Sequence, residues 1–83
     1  MRKMLANPQP VQLHFDGRRP VALQIKHTWR PIKRILDYWR ETGRWWEGEP
    51  EREFLRVEAG GIAIIGRVRR KGNNEWRLYA TDD

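Results

Sequence analysis

With 83 residues and no cysteine, the chain is long enough for one domain and lacks the residues for disulfides, zinc knuckles and thiol nucleophiles. A domain of this size buries only about 60–65% of the surface that its unfolded chain exposes, so most large apolar side chains are needed in the core. The formal net charge of +6 at pH 7 favours a polyanionic partner.

The first part of the chain predicts a short lead followed by a hairpin. Residues 1–9 are predicted to be a flexible lead, and residues 10–83 to form one small β domain. Apolar and polar residues alternate over 11–16 and again over 21–26, which is the pattern of a half-buried strand. Asp16-Gly17 lies between the two segments and predicts the turn that joins them.

The segment 32–39 is compatible with two structures. Four apolar residues recur there at the spacing of one helix face: Ile32, Ile35, Leu36 and Trp39. Pro31 and Gly43 leave room for only about two turns of helix, and the β-branched and aromatic residues also suit a bulged strand. We favour the strand, and a short helix at 32–39 stays as the alternative.

The second part of the chain predicts three further strands, over 54–57, 62–68 and 75–80, after an acidic loop. Short strands joined by closely spaced turns predict a mainly β fold. We expect a small antiparallel meander curled into a barrel or half-barrel that protects its edges. Trp39 and Trp76 are predicted to face the core.

Several kinds of site are rejected on the residues. The glycine spacing of Gly61–Arg67 resembles a phosphate loop, but Arg67 stands where lysine is required and the segment predicts a strand. His14 and His27 have no clustered carboxylates, so no metal site is predicted. The acidic loop is predicted to be solvated, with ordinary carboxylate pKa values, and its glutamates are Glu47, Glu49, Glu51 and Glu53.

The chain contains no serine, and no threonine has a neighbouring base to activate it. We therefore predict no catalytic residues, no cofactor and no enzymatic activity. The basic start of the chain lacks an apolar segment, and the longest apolar run is Ile62–Ile65, so neither a signal peptide nor a membrane partner is predicted. A cytoplasmic location is expected by default.

Charge and aromatic residues together predict nucleic-acid binding. Residues 1–40 carry nine Lys or Arg and two Asp, whereas residues 41–60 carry three Arg and six Glu. Four tryptophans stand beside arginines: Trp29, Trp39, Trp45 and Trp76. Aromatic rings stack on unpaired bases and guanidinium groups bind phosphates. Trp45 and Trp46 cannot both face inward on a strand, so one of them is predicted to be an exposed stacking or partner-binding residue.

The C-terminal hairpin supplies a second basic patch. A loop centred near Asn73 would place Arg69 opposite Arg77 and Arg67 opposite Tyr79, and a bound phosphate would relieve the repulsion between the arginines. The predicted phosphate-binding residues are Arg30, Lys33, Arg34, Arg40, Arg67, Arg69, Arg70, Lys71 and Arg77. Tyr79 is predicted to stack beside them.

Three segments carry a resemblance to a known family. They are ILDYWRETGRWWEGE at 35–49, REFLRV at 52–57 and WRLY at 76–79. Together they resemble a bacterial small-domain family that occurs alone and, in a related form, at the C-terminus of the polymerase-like, Y-family-related subunit of the bacterial mutasome. The resemblance covers roughly residues 11–80, and W-R-x-x-G-x-W-W is its most specific motif. It implies a DNA-repair or translesion-synthesis context and no catalytic residue.

Two functions follow as expectations. The first is a non-catalytic accessory module that binds single-stranded or duplex DNA, with an affinity that falls steeply as salt rises. The second is a protein-interaction module that docks on a repair polymerase or accessory protein through an exposed tryptophan and the acidic loop. Self-association through an exposed strand edge stays open.

Overall fold

The computed structural model describes residues 2–69 and 75–82, with side chains described for 7–44, 46–69 and 75–81. It has seven strands and one 3₁₀ turn at Trp45–Glu47. The strands are β1 (Arg2–Asp16), β2 (Arg19–Ile25), β3 (Thr28–Pro31), β4 (Arg34–Glu41), β5 (Arg52–Glu58), β6 (Ile62–Val68) and β7 (Trp76–Asp82). All pairings are antiparallel and the sheet curls into a half-barrel, which confirms the predicted fold class.

The order of the strands explains why the sheet curls. It is β3-β2-β1-β7-β6-β5-β4, so β3 and β4 lie at opposite edges although two residues separate them in the chain. The Ile32 amide donates to the Val21 carbonyl of β2 (2.9 Å), and the Lys33 amide donates to the Glu58 carbonyl of β5 (2.8 Å). Ile32 and Lys33, which link β3 to β4, therefore bond to both halves of the sheet, the β1–β2–β3 half and the β4–β5–β6–β7 half. The edge strands β3 and β4 must come together at this link.

Strand β1 is shared between the same two halves. Its first part pairs with β7, from Arg2 opposite Asp82 to Val11 opposite Trp76, and its last part pairs with β2. The strand thus begins at Arg2, whereas the sequence predicts a flexible lead over 1–9. Because β7 lies between β6 and β1, its backbone groups need hydrogen-bond partners on both sides. The first part of β1 supplies the partners on one of these sides.

Two tight turns shape the β1–β2–β3 part of the sheet. Asp16 pairs with Arg19 across a turn in which Gly17 has φ +64°, and this confirms the predicted hairpin. The β2–β3 turn consists of Lys26 and His27, with φ values of +49° and +68°. Positive φ at both central residues matches the right-handed twist of paired strands, at a steric cost for residues that have a Cβ.

Residues 34–41 form a bulged strand, so the short-helix alternative is wrong and the favoured prediction is confirmed. β4 pairs with β5 along its length, and the register shifts between Ile35 and Asp37. The shift leaves Leu36 as the extra residue, which is the two-against-one pattern of a bulge. Pairing with β5 satisfies the backbone groups of β4 in a way that an isolated two-turn helix could not.

The inner face of the sheet holds the hydrophobic core. Leu23, Val57 and Ile65 are fully buried there, and Trp76 and Leu78 pack beside them. They come from β2, β5, β6 and β7, so the core joins both halves of the half-barrel. The predicted core position of Trp76 is confirmed.

The outer face carries a separate aromatic cluster. The Trp39 ring stacks on Phe54 at a centroid distance of 5.4 Å, and Phe54 meets the edge of Tyr79 at 5.1 Å. Phe54 is 6% exposed and lies over Gly66 of the neighbouring strand. The prediction that Trp39 faces the core is wrong, because its partner Phe54 points away from the core residue Leu55 that follows it.

Candidate functional site

The predicted register of the C-terminal hairpin is wrong. Gly66 pairs with Arg77 and Ile65 with Leu78, while the shift between Ile64 and Ile65 makes Tyr79 the extra residue. Arg67 therefore lies on the inner face, where its guanidinium carbon is 5.0 Å from the centroid of the Trp76 ring. The facing rows of arginines that would have bound a phosphate do not form.

Most of the arginines predicted to contact phosphates are paired with glutamates. The ion pairs are Arg34–Glu58 (2.9 Å), Arg40–Glu51 (3.7 Å), Arg69–Glu51 (3.7 Å), Arg77–Glu75 (3.0 Å) and Arg67–Glu53. Each pair cancels positive charge at the surface, and solvent-exposed pairs add little stability. Of the remaining predicted residues, Arg70 and Lys71 lie outside the described residues, and Arg30 and Lys33 are discussed below.

A buried carboxylate lies at the centre of the inner-face network. Glu53 is 6% exposed; the Tyr38 hydroxyl donates to its Oε2 (2.9 Å), and Arg67 Nε donates to its Oε1. Arg40 Nε donates in turn to the Tyr38 hydroxyl (2.9 Å). The prediction of a solvated acidic loop is therefore wrong for Glu53, which belongs to β5 and faces inward beside Leu55.

The network fixes the charge of Glu53. Burial acts to raise the pKa of this carboxyl group, but the hydrogen bonds from Tyr38 and Arg67 and the positive charges of Arg67 and Arg69 outweigh it, so its pKa lies below its ordinary value. The hydrogen bond to Tyr38 also raises the pKa of Arg40. The cluster is thus an ionised structural network at neutral pH.

An open cleft lies directly above this network, and we name it the seam cleft. It runs between the tip of the β1–β2 hairpin and β4, and has a volume of about 550 Å³. The hairpin contributes Phe15, Arg18 and Pro20, and β4 contributes Ile35 and Tyr38. The remaining lining residues are Glu53, Leu55, Arg67 and Trp76.

The walls of the seam cleft are unusually apolar for an open surface. Phe15 from the hairpin and Ile35 and Tyr38 from β4 are 40%, 42% and 47% exposed, and all three line it. Apolar groups gathered around a concavity mark binding sites more often than scattered exposed ones do. The sequence predicts Phe15 in an alternating strand and Ile35 in the segment 32–39, and only the curl of the sheet brings them to one cleft.

A second candidate surface is the three-stranded part β1–β2–β3. We name its five cations the basic strip: Arg18, Arg19, Lys26, Arg30 and Lys33. None of them forms an ion pair with another residue in the described ranges, and Asp16 is the one acidic residue between positions 12 and 33. Arg18, Arg19 and Lys26 are not among the phosphate-binding residues predicted from the sequence. Their distance along the chain from any glutamate could have indicated that they lack ion-pair partners.

Two tryptophans are exposed among the described side chains. Trp29 is 48% exposed on β3, opposite Gln24 and between Lys26 and Lys33 of the basic strip in the chain. Trp46 is 67% exposed in the 3₁₀ turn, which confirms that one residue of the Trp45-Trp46 pair lies at the surface. The side chain of Trp45 is outside the described ones.

Other kinds of site find no support in the described part of the chain. No group of three or more His, Asp or Glu side chains there is arranged to hold a metal ion. The described segments also contain no helix with the length and apolar character needed to cross a bilayer. Comparison of the chain with models of known protein families, with curated proteins and with solved structures found no match.

Proposed function

We propose that the protein is a non-catalytic module that binds nucleic acid through the basic strip, with Trp29 as a stacking residue. The observation that carries this proposal is the separation of charge. Five cations that form no ion pair within the described residues lie on β2 and β3 and in the adjoining turns and link, while most of the arginines elsewhere in the same residues are neutralised by glutamates. Cations of this kind bind phosphates, and an exposed ring stacks on bases. Trp29 and Arg30 point to opposite faces of β3, because Trp29 pairs with Gln24 and Arg30 with the core residue Leu23.

The arrangement favours binding without strong sequence preference. Lysine and arginine bind phosphate oxygens that every nucleotide has, and a tryptophan ring stacks on any base. The context that we propose, DNA repair or translesion synthesis, rests on the resemblance of the segments at 35–49, 52–57 and 76–79 alone.

A second function has its own observation in its favour. Trp46 is 67% exposed, and Glu47 and Glu49 lie beside it in the same loop. An exposed tryptophan in an acidic setting suits a basic protein partner such as a repair polymerase or accessory protein. Binding of that kind would depend on Trp46 and would tolerate salt better than phosphate binding.

Fluorescence anisotropy of labelled single-stranded and duplex DNA, measured at two salt concentrations, tests the first function. We expect binding at low salt that weakens steeply at high salt, because neutralised phosphates release counterions. Lys33→Gln removes one cation of the basic strip and should weaken binding several-fold. Arg77→Gln is the matched control, since it removes the same charge from an arginine that is paired with Glu75.

The outcomes separate the two functions. A loss of affinity in Lys33→Gln but not in Arg77→Gln supports the basic strip, and equal losses in both variants would show a diffuse charge effect. No binding to either DNA at low salt rules out the first function. Retained DNA binding in Trp46→Ala would show that Trp46 is not needed for it.

A further inference from the structure

We infer that the seam cleft is a pocket for one unpaired nucleobase of a strand bound along the basic strip. This inference rests on the proposed function, because the strip supplies the phosphate contacts that bring the strand to the cleft. It goes further by naming what enters the cleft and which side chains hold it.

The shape of the cleft suits a flat ring. The Phe15 ring on one wall and the Tyr38 ring on the other are both about half exposed, and the floor contains Trp76. Its volume of about 550 Å³ lies within the range of about 300–1,000 Å³ typical of sites for small ligands. Phe15 carries the aromatic ring that we assign to stacking, because the Tyr38 and Trp76 rings already have guanidinium groups over them, from Arg40 and Arg67.

The charges of the cleft suit a nucleotide better than an apolar side chain. Arg18 and Arg67 line it against one carboxylate, Glu53, so its lining residues have a net positive charge. Both oxygens of Glu53 already accept hydrogen bonds, from Tyr38 and Arg67, which leaves its negative charge largely compensated. A phosphate attached to the bound base would therefore meet the Arg18 guanidinium rather than an unpaired carboxylate.

The cleft is also continuous with the basic strip. Arg18 belongs to both, because it lies in the turn at the tip of the β1–β2 hairpin. Arg19 is adjacent to it, and Lys33 lies in the link between β3 and β4, two residues before Ile35 of the cleft. A strand that passes from Arg30 of β3 to Lys33 and the hairpin tip would thus arrive at the part of the cleft lined by Phe15 and Ile35.

Stacking on a base can be measured separately from binding. The probe is a single-stranded tract of about ten thymine nucleotides in which one base is replaced by 2-aminopurine. This length lies within the site sizes of about 4–16 nucleotides that are usual for single-strand-binding proteins. Anisotropy of a terminal label reports binding, and quenching of the 2-aminopurine reports stacking. We expect the wild-type protein to bind the tract and to quench the base.

Phe15→Leu is the decisive variant, because leucine keeps the wall apolar and removes its aromatic face. We expect it to abolish most of the quenching and to weaken binding about ten-fold, which corresponds to about 1.4 kcal/mol. Phe15 is 40% exposed and leucine is also apolar, so this change should leave the fold intact, as circular dichroism can check. Trp29→Leu is the matched control, and it should weaken binding without restoring the 2-aminopurine signal.

Each other outcome has a definite meaning. If the tract binds but 2-aminopurine is not quenched, or if Phe15→Leu behaves as wild type, the base pocket is overturned while binding to the basic strip stands. The same holds if Trp29→Leu, and not Phe15→Leu, removes the quenching. In these cases the apolar cleft fits a protein side chain instead. If anisotropy shows no binding at low salt, the proposed function itself has failed.

Discussion

Replacing Glu53 with glutamine tests the network that supports the inner face. The substitution keeps the size of the side chain and removes its negative charge, so Arg67 and Arg69 lose their shared partner. Breaking a fully buried ion pair costs about 3–5 kcal/mol. Because the side chains of Arg67 and Arg69 are 30% and 38% exposed, water stabilises them in the variant, and we expect a loss of about 2 kcal/mol at pH 7.

The effect should depend on pH in a defined direction. The pKa of Glu53 in the folded protein lies below its ordinary value, which is about 4.3 for an unperturbed glutamate. Its ionised form therefore contributes stability that is fully present above about pH 5 and is lost as pH falls through the folded-state pKa. The difference between wild type and Glu53→Gln should thus shrink towards zero as the pH is lowered from 7 to 3.

Urea unfolding followed by tryptophan fluorescence over this pH range measures the difference, and urea avoids the screening that guanidinium salt would add. Glu75→Gln is the control, since the pair of Glu75 with Arg77 is exposed and its loss should cost less than about 0.5 kcal/mol. A difference for Glu53→Gln that stays constant from pH 7 to pH 3 would refute the electrostatic reasoning and attribute the effect to packing.

Three further predictions concern the fold and can be measured by the same unfolding experiment. Gly66→Ala should destabilise by about 2–3 kcal/mol, because its Cβ would lie 2.6 Å from a Phe54 ring that its neighbours hold in place, and Phe54→Leu should recover part of the loss. Leu23→Ala should cost about 2–5 kcal/mol, since Leu23 is completely buried; a cost below 1 kcal/mol would mean that this site is open to solvent. His27→Gly should stabilise the folded protein by about 0.5 kcal/mol. Glycine relieves the steric strain of the positive φ at His27, which is worth about 1–2 kcal/mol, but it makes the unfolded chain more flexible, which costs about 0.4–1 kcal/mol. A destabilised His27→Gly would show that the imidazole itself supports the turn.

The sequence predicts those features of the fold that depend on local patterns. Alternation of apolar and polar residues identifies the first hairpin, and Asp16-Gly17 identifies its turn, whereas a bulge between His14 and Phe15 shifts the register of the pairs beyond it. The bulge in β4 is also predictable, because a proline before it and a glycine after it leave too little room for a stable helix. These conclusions need only neighbouring residues, and no knowledge of the rest of the chain.

The candidate sites depend on contacts between distant residues and are only partly predictable. The burial of Glu53 requires Tyr38 and Arg67, which come from two other strands, so its neighbours in sequence suggest a solvated loop instead. The register of the last hairpin differs from the prediction because Gly66 pairs with Arg77, which centres the hairpin between positions 71 and 72 and not near Asn73; the extra residue Tyr79 then shifts the pairings beyond it by one more. Which cations lack ion pairs likewise follows from the fold and not from net charge.

The sharing of β1 between the two halves of the sheet has a consequence for the rate of folding. Its pairing with β7 joins residue 9 to residue 78 and residue 2 to residue 82, across nearly the whole described chain. Such pairing must close a very long loop before it gains any contact energy, and proteins dominated by these contacts fold in milliseconds to seconds rather than microseconds. While the chain is being synthesised, the β1–β2 hairpin must therefore wait, with one ladder edge unpaired, until β7 emerges. During that interval the growing chain is most exposed to pairing with other chains.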